Sequence, residues 1–250
     1  MTREDHQESR EWFRNWFGEE YLALYPHRDE KEAARAVRLF VDSLMPAEGL
    51  VLDLACGAGR HAHELSAAGV RAIGLDLSAV LLREARRVDG NLPLVRADMR
   101  GLPFADSAFA GLTSFFTSFG YFGTLEEDRT VIGHIRRVLA PGGVFMLDFF
   151  NAARVRDQLV AHDVQWVGNQ RVTQTREILG DMVVKQIVIE PGEPDAPART
   201  FEERVRLYGP DELNALLREH GLVAEHRFGD YGGGVFTAQS ERLILAGSAA

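Results

Sequence analysis

The sequence is poor in the features that mark secreted, membrane-spanning or polyanion-binding chains. Its single cysteine, Cys56, excludes an intramolecular disulfide and any zinc site built from several thiolates. No apolar run reaches the roughly 18 residues of a spanning helix, and the opening MTREDHQESREWF lacks a cationic tip followed by an apolar core. A soluble, cytoplasmic protein without a membrane partner is expected. Lysine occurs only at Lys31 and Lys185, and no arginine-rich run compensates. With 28 basic against 37 acidic residues the net charge is −9, which disfavours nucleic acid as a partner, because a polyanion is held by surplus cations. Neither an internal repeat nor a low-complexity tract is present. What is present is 250 residues, 46% of them hydrophobic, enough for the core of one or two domains.

Trp12, Phe13, Trp16, Phe17 and Tyr21 recur at helical spacing and predict one amphipathic helix, broken by Pro26. Asp29 is a suitable N-cap for a second helix, DEKEAARAVRLFVDSL, so that residues 1–48 form a helical cap. Strand and helix periods then alternate. LVLDLA, RAIGLDL, LPLVRAD, AFAGLTSFF and GVFMLDFF read as strands separated by helical segments, which implies βαβ units with right-handed crossovers over residues 49–150. After a short helix the texture changes. QRVTQTREIL, DMVVKQIVIE and TFEERVRLY carry strand alternation with no helix between them, an antiparallel insertion over about 164–208 with a hairpin turn at Gly180-Asp181. A helix, PDELNALLREHG, and two strands near Leu222 to Phe228 and Val235 to Ile244 close the chain over 209–250.

The segment VLDLACGAGRHA runs from a strand into Gly57 and Gly59 and opens a helix, placing exposed backbone amides beside a sharp turn. Gly57, Gly59 and Ala62 satisfy the loose G-x-G-x-x-G/A pattern of dinucleotide binders, and charge separates the possibilities. Asp53 precedes the loop. A carboxylate there repels a diphosphate but attracts the sulfonium and ammonium of S-adenosylmethionine, by about 1 to 4 kcal/mol at about 4 Å. The Lys-Ser/Thr pair of a P-loop is missing. Asp76, ending the second strand, can accept both ribose hydroxyls, with Leu77 covering one adenine face. Asp98-Met99, ending the third, offers a carboxylate to the adenine amino group, a backbone N–H to a ring nitrogen and a second apolar cover. Ligands of open α/β sheets bind along this carboxyl edge.

On DLACGAGR, Asp76, Asp98-Met99 and LAPGGVFMLDF the chain resembles the class I S-adenosylmethionine-dependent methyltransferases over nearly its whole length. The resemblance implies a Rossmann-like three-layer αβα sandwich, with a seven-stranded, mostly parallel sheet carrying one antiparallel strand, plus the inserted antiparallel β-layer. It implies S-adenosyl-L-methionine as cofactor, S-adenosyl-L-homocysteine as product, and Ala55, Gly57, Gly59 and Arg60 as loop residues around the donor.

In that architecture the methyl group points toward the loop after the fourth strand, FFTSFGYF. Phe115 continues the strand and is placed either in the core or with the cofactor-binding set, while Ser118, Phe119, Gly120 and Tyr121 mark a cleft wall. The stretch is similar to small-molecule N- and O-methyltransferases, in which the position of Tyr121 faces the acceptor. Their helix tyrosines match Tyr21 and Tyr25, so Tyr25 is expected over the methionyl end of the donor. The reaction is expected to be in-line transfer to N or O of a small molecule, with Tyr121 and His27 as catalytic candidates if a proton must leave, and His61 either a third candidate base or a packed or capping residue. Two other classes remain: a non-catalytic binding module, and a methyltransferase acting on RNA or protein. The insertion can roof the acceptor cleft or form a homodimer.

Overall fold

A computed structural model describes residues 11–25, 30–44, 46, 48–193 and 196–250. The N-terminal aromatic stripe forms two helices rather than one, α1 (Trp12–Trp16) and α2 (Glu19–Leu24), because Gly18 is extended and caps the second. Both bury the same face: Trp12, Phe13, Trp16, Tyr21 and Leu24 join the main core. The break lets the stripe from Trp12 to Leu24 turn a corner while keeping its apolar face on the core. Helix α3 (Glu30–Leu44) follows, and the proposed cap Asp29 lies outside the described residues.

Strands β1 (Val51–Leu54), β2 (Ala72–Asp76), β3 (Leu94–Arg96), β4 (Phe109–Ser114) and β5 (Leu139–Phe150) alternate with α4 (Arg60–Ala67), α5 (Ala79–Val88) and α6 (Leu125–Val138). With β10 (Leu222–Phe228) and β11 (Arg242–Ala249) they form a seven-stranded sheet in the order β10-β11-β5-β4-β1-β2-β3. All neighbours are parallel except β11, which runs against both β5 and β10. Every residue of β1 is buried, as expected for a central strand covered on both faces. The last strand starts later than the alternation suggests. Val235 makes only an isolated bridge to Phe228 and is 83% exposed, because the Asp230 carboxylate turns the chain by accepting from the N–H groups of Gly232 and Gly234. Pairing with β5 begins at Arg242, where the apolar run Leu243 to Ala246 enters the core.

After α7 (Ala152–Asp157) the insertion contains four strands, β6 (His162–Val167), β7 (Gln170–Leu179), β8 (Met182–Glu190) and β9 (Arg199–Arg206), in sequential antiparallel order. The turn at Gly180-Asp181 lies between β7 and β8, as expected, while β6 had no sequence signal. It is an edge strand that turns Val164 and Trp166 outward, Trp166 being 68% exposed, and packs only Val167 against the core. Helix α8 (Pro210–Glu219) returns the chain to the main sheet. The second sheet roofs the molecule rather than leaving its apolar face open. Val172, Ile187 and Ile189 are buried in the same cluster as α1 and α2, and the Trp16 ring meets Phe201 with centroids 5.0 Å apart. No helix of the described residues is long and apolar enough to cross a membrane.

Candidate active site

The sheet order sets the location. The chain proceeds outward from β1 through β2 to β3, then crosses to β4 on the other side of β1, so the loops after β1 and β4 diverge. Such a switch point leaves a crevice at the carboxyl ends of the strands. The crevice opens into a cavity of ≈ 1560 Å³ between the main sheet, the helices α1 and α2 and the roof. Single-ligand pockets are typically about 300–1,000 Å³, so this volume suits two ligands side by side.

One half is built by the glycine loop. Ala55, Gly57 and Gly59 all have positive φ (59°, 57° and 80°), and a Cβ at Gly59 would stand 2.8 Å from that of Ala85 on α5. A side chain at Gly59 would therefore push the loop off the helix. Ala55, Gly57 and Arg60 line the cavity. Asp76 accepts from the Gly57 N–H at 2.8 Å through Oδ2 and from the Ser78 N–H at 2.8 Å through Oδ1, joining the first two strand ends. Burial raises its pKa, an effect partly offset by the N–H groups of Ser78, Gly57 and Leu77. Ser78 Oγ in turn donates to the Phe17 carbonyl at 2.6 Å and latches the α1–α2 bend over the loop. Asp98 caps the short turn Met99–Gly101 by accepting from the Arg100 N–H at 2.9 Å, and its carboxylate also pairs with the Arg100 guanidinium at 2.7 Å. Burial acts to raise the Asp98 pKa, but the hydrogen bonds and charges of Arg100 and Arg14 outweigh it and hold the carboxyl below its ordinary value. Leu77 and Met99 line the same wall.

Asp53 sits differently. It is 1% exposed beneath the loop, accepts from Thr113 Oγ1 at 3.2 Å, and its Oδ2 has no hydrogen-bond partner among the described residues. Burial pushes its pKa up to about 7, assisted by the charge of Asp76 and opposed by Thr113. An orphaned carboxylate oxygen under a ligand loop fits a cationic ligand above it: positive charge in the cavity relieves what burial costs the ionised form.

The other half is aromatic. Phe115, Phe116, Thr117, Ser118 and Tyr121 line it from the loop after β4, and Phe116 and Thr117 are both left-handed at φ 61° and 60°. Such conformations cost about 1–3 kcal/mol each for non-glycine residues and persist only where surroundings impose them. The imposing group is Asp148 at the end of β5, whose Oδ2 accepts from the Phe116 N–H at 2.6 Å and from Tyr231. Arg242 of β11 pairs with both Asp148 oxygens, at 2.7 and 2.8 Å, and donates to Thr117 Oγ1 at 3.1 Å. From the roof, Lys185 donates to Tyr25 Oη at 2.9 Å and to Glu203 at 3.2 Å, while Trp16 Nε1 donates to the other Glu203 oxygen at 2.6 Å.

Of the residues singled out from sequence, Tyr25, Ala55, Gly57, Arg60, Asp76, Leu77, Asp98, Met99, Phe115 and Tyr121 share this one cavity. Asp53 and Gly59 lie behind its wall and shape it, and His27 lies outside the described residues. The Tyr121 hydroxyl donates to the Thr117 carbonyl at 2.5 Å, and His61 stacks on Phe115 at 4.6 Å. Sequence reasoning missed Asp148, Arg242, Lys185 and Glu203. Two carried a signal: Asp148 is an acid at a strand's carboxyl end like the three that were chosen, and Lys185 is one of two lysines, set in an apolar strand.

Residues 51–143 match the family described as a methyltransferase domain. The sequence is 29% identical over 216 residues to a cypemycin N-terminal methyltransferase from a Streptomyces species, covering 82% of this chain and 86% of that one. It is 27% identical over 224 residues to a dTDP-3-amino-3,4,6-trideoxy-alpha-D-glucopyranose N,N-dimethyltransferase from Streptomyces venezuelae, covering 86% and 94%. In fold it superposes on a crystal structure of an S-adenosylmethionine-dependent methyltransferase from Clostridium acetobutylicum with a TM-score of 0.79, at 18% identity, over 92% of this chain and 98% of the other. The chain is an S-adenosylmethionine-dependent methyltransferase. Its sheet order, reversed β11 and added antiparallel layer follow the Rossmann-like architecture of this class. S-adenosylmethionine supplies an electrophilic methyl group on a sulfonium; the glycine loop, Asp76 and Asp98, which line the cavity, and Asp53 buried beneath the loop are the residues that would hold it.

Proposed function

We propose that this methyltransferase transfers a methyl group to an amine nitrogen of a small molecule, an amino sugar or a free peptide N-terminus being the chemistries its relatives' names point to. The observation carrying this reading is the make-up of the acceptor half: aromatic rings beside acids that are each held by a cation, Glu203 by Lys185 and Asp163 by Arg176, with the His61 ring stacked on Phe115 and the Tyr121 hydroxyl donating to the Thr117 carbonyl. A hydroxyl acceptor needs a base close by to remove its proton. An amine does not, because its neutral form already carries the attacking lone pair, and a half-dry aromatic cavity favours that form by penalising the ammonium.

In this reading Tyr121 walls the acceptor rather than taking its proton. It stacks on Phe17 with centroids 5.8 Å apart and meets Trp12 at 5.0 Å, so its ring is fixed against the α1–α2 lid. Asp76 and Asp98 hold the nucleoside, the glycine loop the methionyl backbone, and the roof confines the acceptor. Rate enhancement comes from holding nucleophile and methyl carbon in line and excluding water, for which no acid–base pair is required. The net charge of −9 favours such a small acceptor over RNA.

The test is methyl transfer from labelled S-adenosylmethionine to matched dTDP-linked sugars bearing an amine or a hydroxyl at the same carbon, and to peptides with free or acetylated N-termini. Transfer to the amines alone supports the reading. Transfer to hydroxyls, or tight S-adenosylhomocysteine binding with no transfer to any amine, overturns it.

A further inference from the structure

We propose that Arg242, together with Asp148 and Tyr231, is a positioning residue that holds the left-handed bend at Phe116-Thr117 and thereby aims the acceptor wall at the methyl donor. The proposal rests on the methyltransferase reading above but concerns residues outside the family's glycine loop and nucleoside-binding acids.

The two ends of the acceptor loop are secured in different ways. At its far end the Gly120 carbonyl accepts from the Arg206 backbone N–H at 2.8 Å, a tie that survives most side-chain changes. At its near end the tie is mainly one carboxylate. Asp148 Oδ2 takes the Phe116 N–H at 2.6 Å, the Arg242 Nη2–H at 2.8 Å and the Tyr231 hydroxyl, while Oδ1 takes the Arg242 Nε–H at 2.7 Å. The Thr117 N–H is added by the Asp148 backbone carbonyl at 3.0 Å. A carboxylate placed alone at the buried end of β5 would be costly, and Arg242 is the cation that permits it.

The register explains why Arg242 reaches. It pairs with Phe150 across the β11–β5 ladder, and Asp148 pairs with Ile244, so the two charged side chains are diagonal neighbours on one face. Arg242 Nη2 then spans to Thr117 Oγ1 at 3.1 Å, and the guanidinium lies over the Phe116 ring at 5.3 Å from its centroid, with that of Arg60 at 4.8 Å. Phe116 is thus bonded through its backbone to Asp148 and through its ring to two cations, one of them from the glycine loop's helix. Arg242 also lines the cavity, so the bend it supports is at the meeting of the donor and acceptor halves. The reversed strand of the fold acquires a catalytic consequence through this one side chain.

The expectation differs from that for a merely stabilising ion pair. Replacing all three groups by apolar shapes, Asp148→Leu with Arg242→Met and Tyr231→Phe, leaves no buried charge and is compatible with a folded protein. Amide exchange at residues 115–122 should then rise by about tenfold or more while β1 and α6 keep their protection. Calorimetry with S-adenosylhomocysteine should give a Kd within about threefold of the parent, whereas kcat for a dTDP-linked amino sugar should fall by about 10- to 100-fold, as expected when a reacting group is misplaced by about 1 Å. Arg242→Lys, which keeps the charge but not the fork, should recover part of kcat. Unchanged exchange over 115–122 in a folded variant, an unchanged kcat, or a parallel loss of S-adenosylhomocysteine affinity overturns the proposal. If the parent methylates no amine, the functional reading fails on its own, and the exchange measurement still decides whether Arg242 holds the bend.

Discussion

At the scale of single residues the site is governed by where carboxylates are buried and what compensates them. Asp76 bonds the amides of Gly57 and Ser78, so Asp76→Ala loosens the loop and, on the proposed reading, also removes the ribose acceptor. Its affinity for S-adenosylhomocysteine should fall by about 1.5 to 3 kcal/mol, measured by calorimetry, and Asp76→Asn should restore part of it. Asp53 makes a different prediction, since its carboxyl is raised to about 7 in the folded chain against an ordinary value of 3.8. The folded state then binds more protons than the unfolded state between these values, so this group's contribution to stability is full below the lower value and declines as pH rises through the upper. Denaturant midpoints at pH 5 and pH 8 should differ less in Asp53→Asn than in the parent; an unchanged difference would assign the pH dependence elsewhere. Asp53, Asp76 and Asp98 were legible because each stands at the carboxyl end of a strand that its own apolar pattern announces. Asp148 obeyed the same rule and was hidden by its partner, Arg242, which lies 94 positions away and approaches only through sheet pairing.

At the scale of elements the roof sheet and the N-terminal helices are one device. Ile187 and Ile189 on β8 are buried against the cluster that contains Trp16, and Lys185 on the same face reaches Tyr25. Ile187→Ala should cost about 2–5 kcal/mol by the ordinary arithmetic of emptied core volume, read from chemical denaturation. Lys185→Met should instead raise KM for the acceptor and, through the lost hydrogen bond to Tyr25, weaken S-adenosylhomocysteine less than Asp76→Ala does. An equal loss of donor affinity would place Lys185 in the other half. The β-period of the insertion was readable, but its fourth strand was not, since β6 is a short edge strand that turns Val164 and Trp166 to solvent and only Val167 to the core. The break at Gly18 was missed for a related reason: the aromatic stripe is the same whether one helix carries it or two.

At the scale of the whole molecule, the cavity lies between a mostly parallel sheet and a separate antiparallel one, so ligand binding there should couple to global stability. S-adenosylhomocysteine at 100 times its Kd should stabilise the protein by about 2.7 kcal/mol and raise Tm by about 5 to 10 °C, and Asp76→Ala at the same ligand concentration should lose most of that shift. The sequence by itself determined the alternating core, the glycine loop and the acids near the strand ends, because each is encoded in contiguous residues whose spacing and charge are local properties. The tertiary structure alone decided that the insertion packs over the cavity, that Asp53 lies buried beneath the loop, and that Asp148 bonds both Arg242 and the Phe116 N–H. Those outcomes depend on which faces meet and which buried charges find a counter-charge, and both are set by strand order and register across residues far apart in the chain.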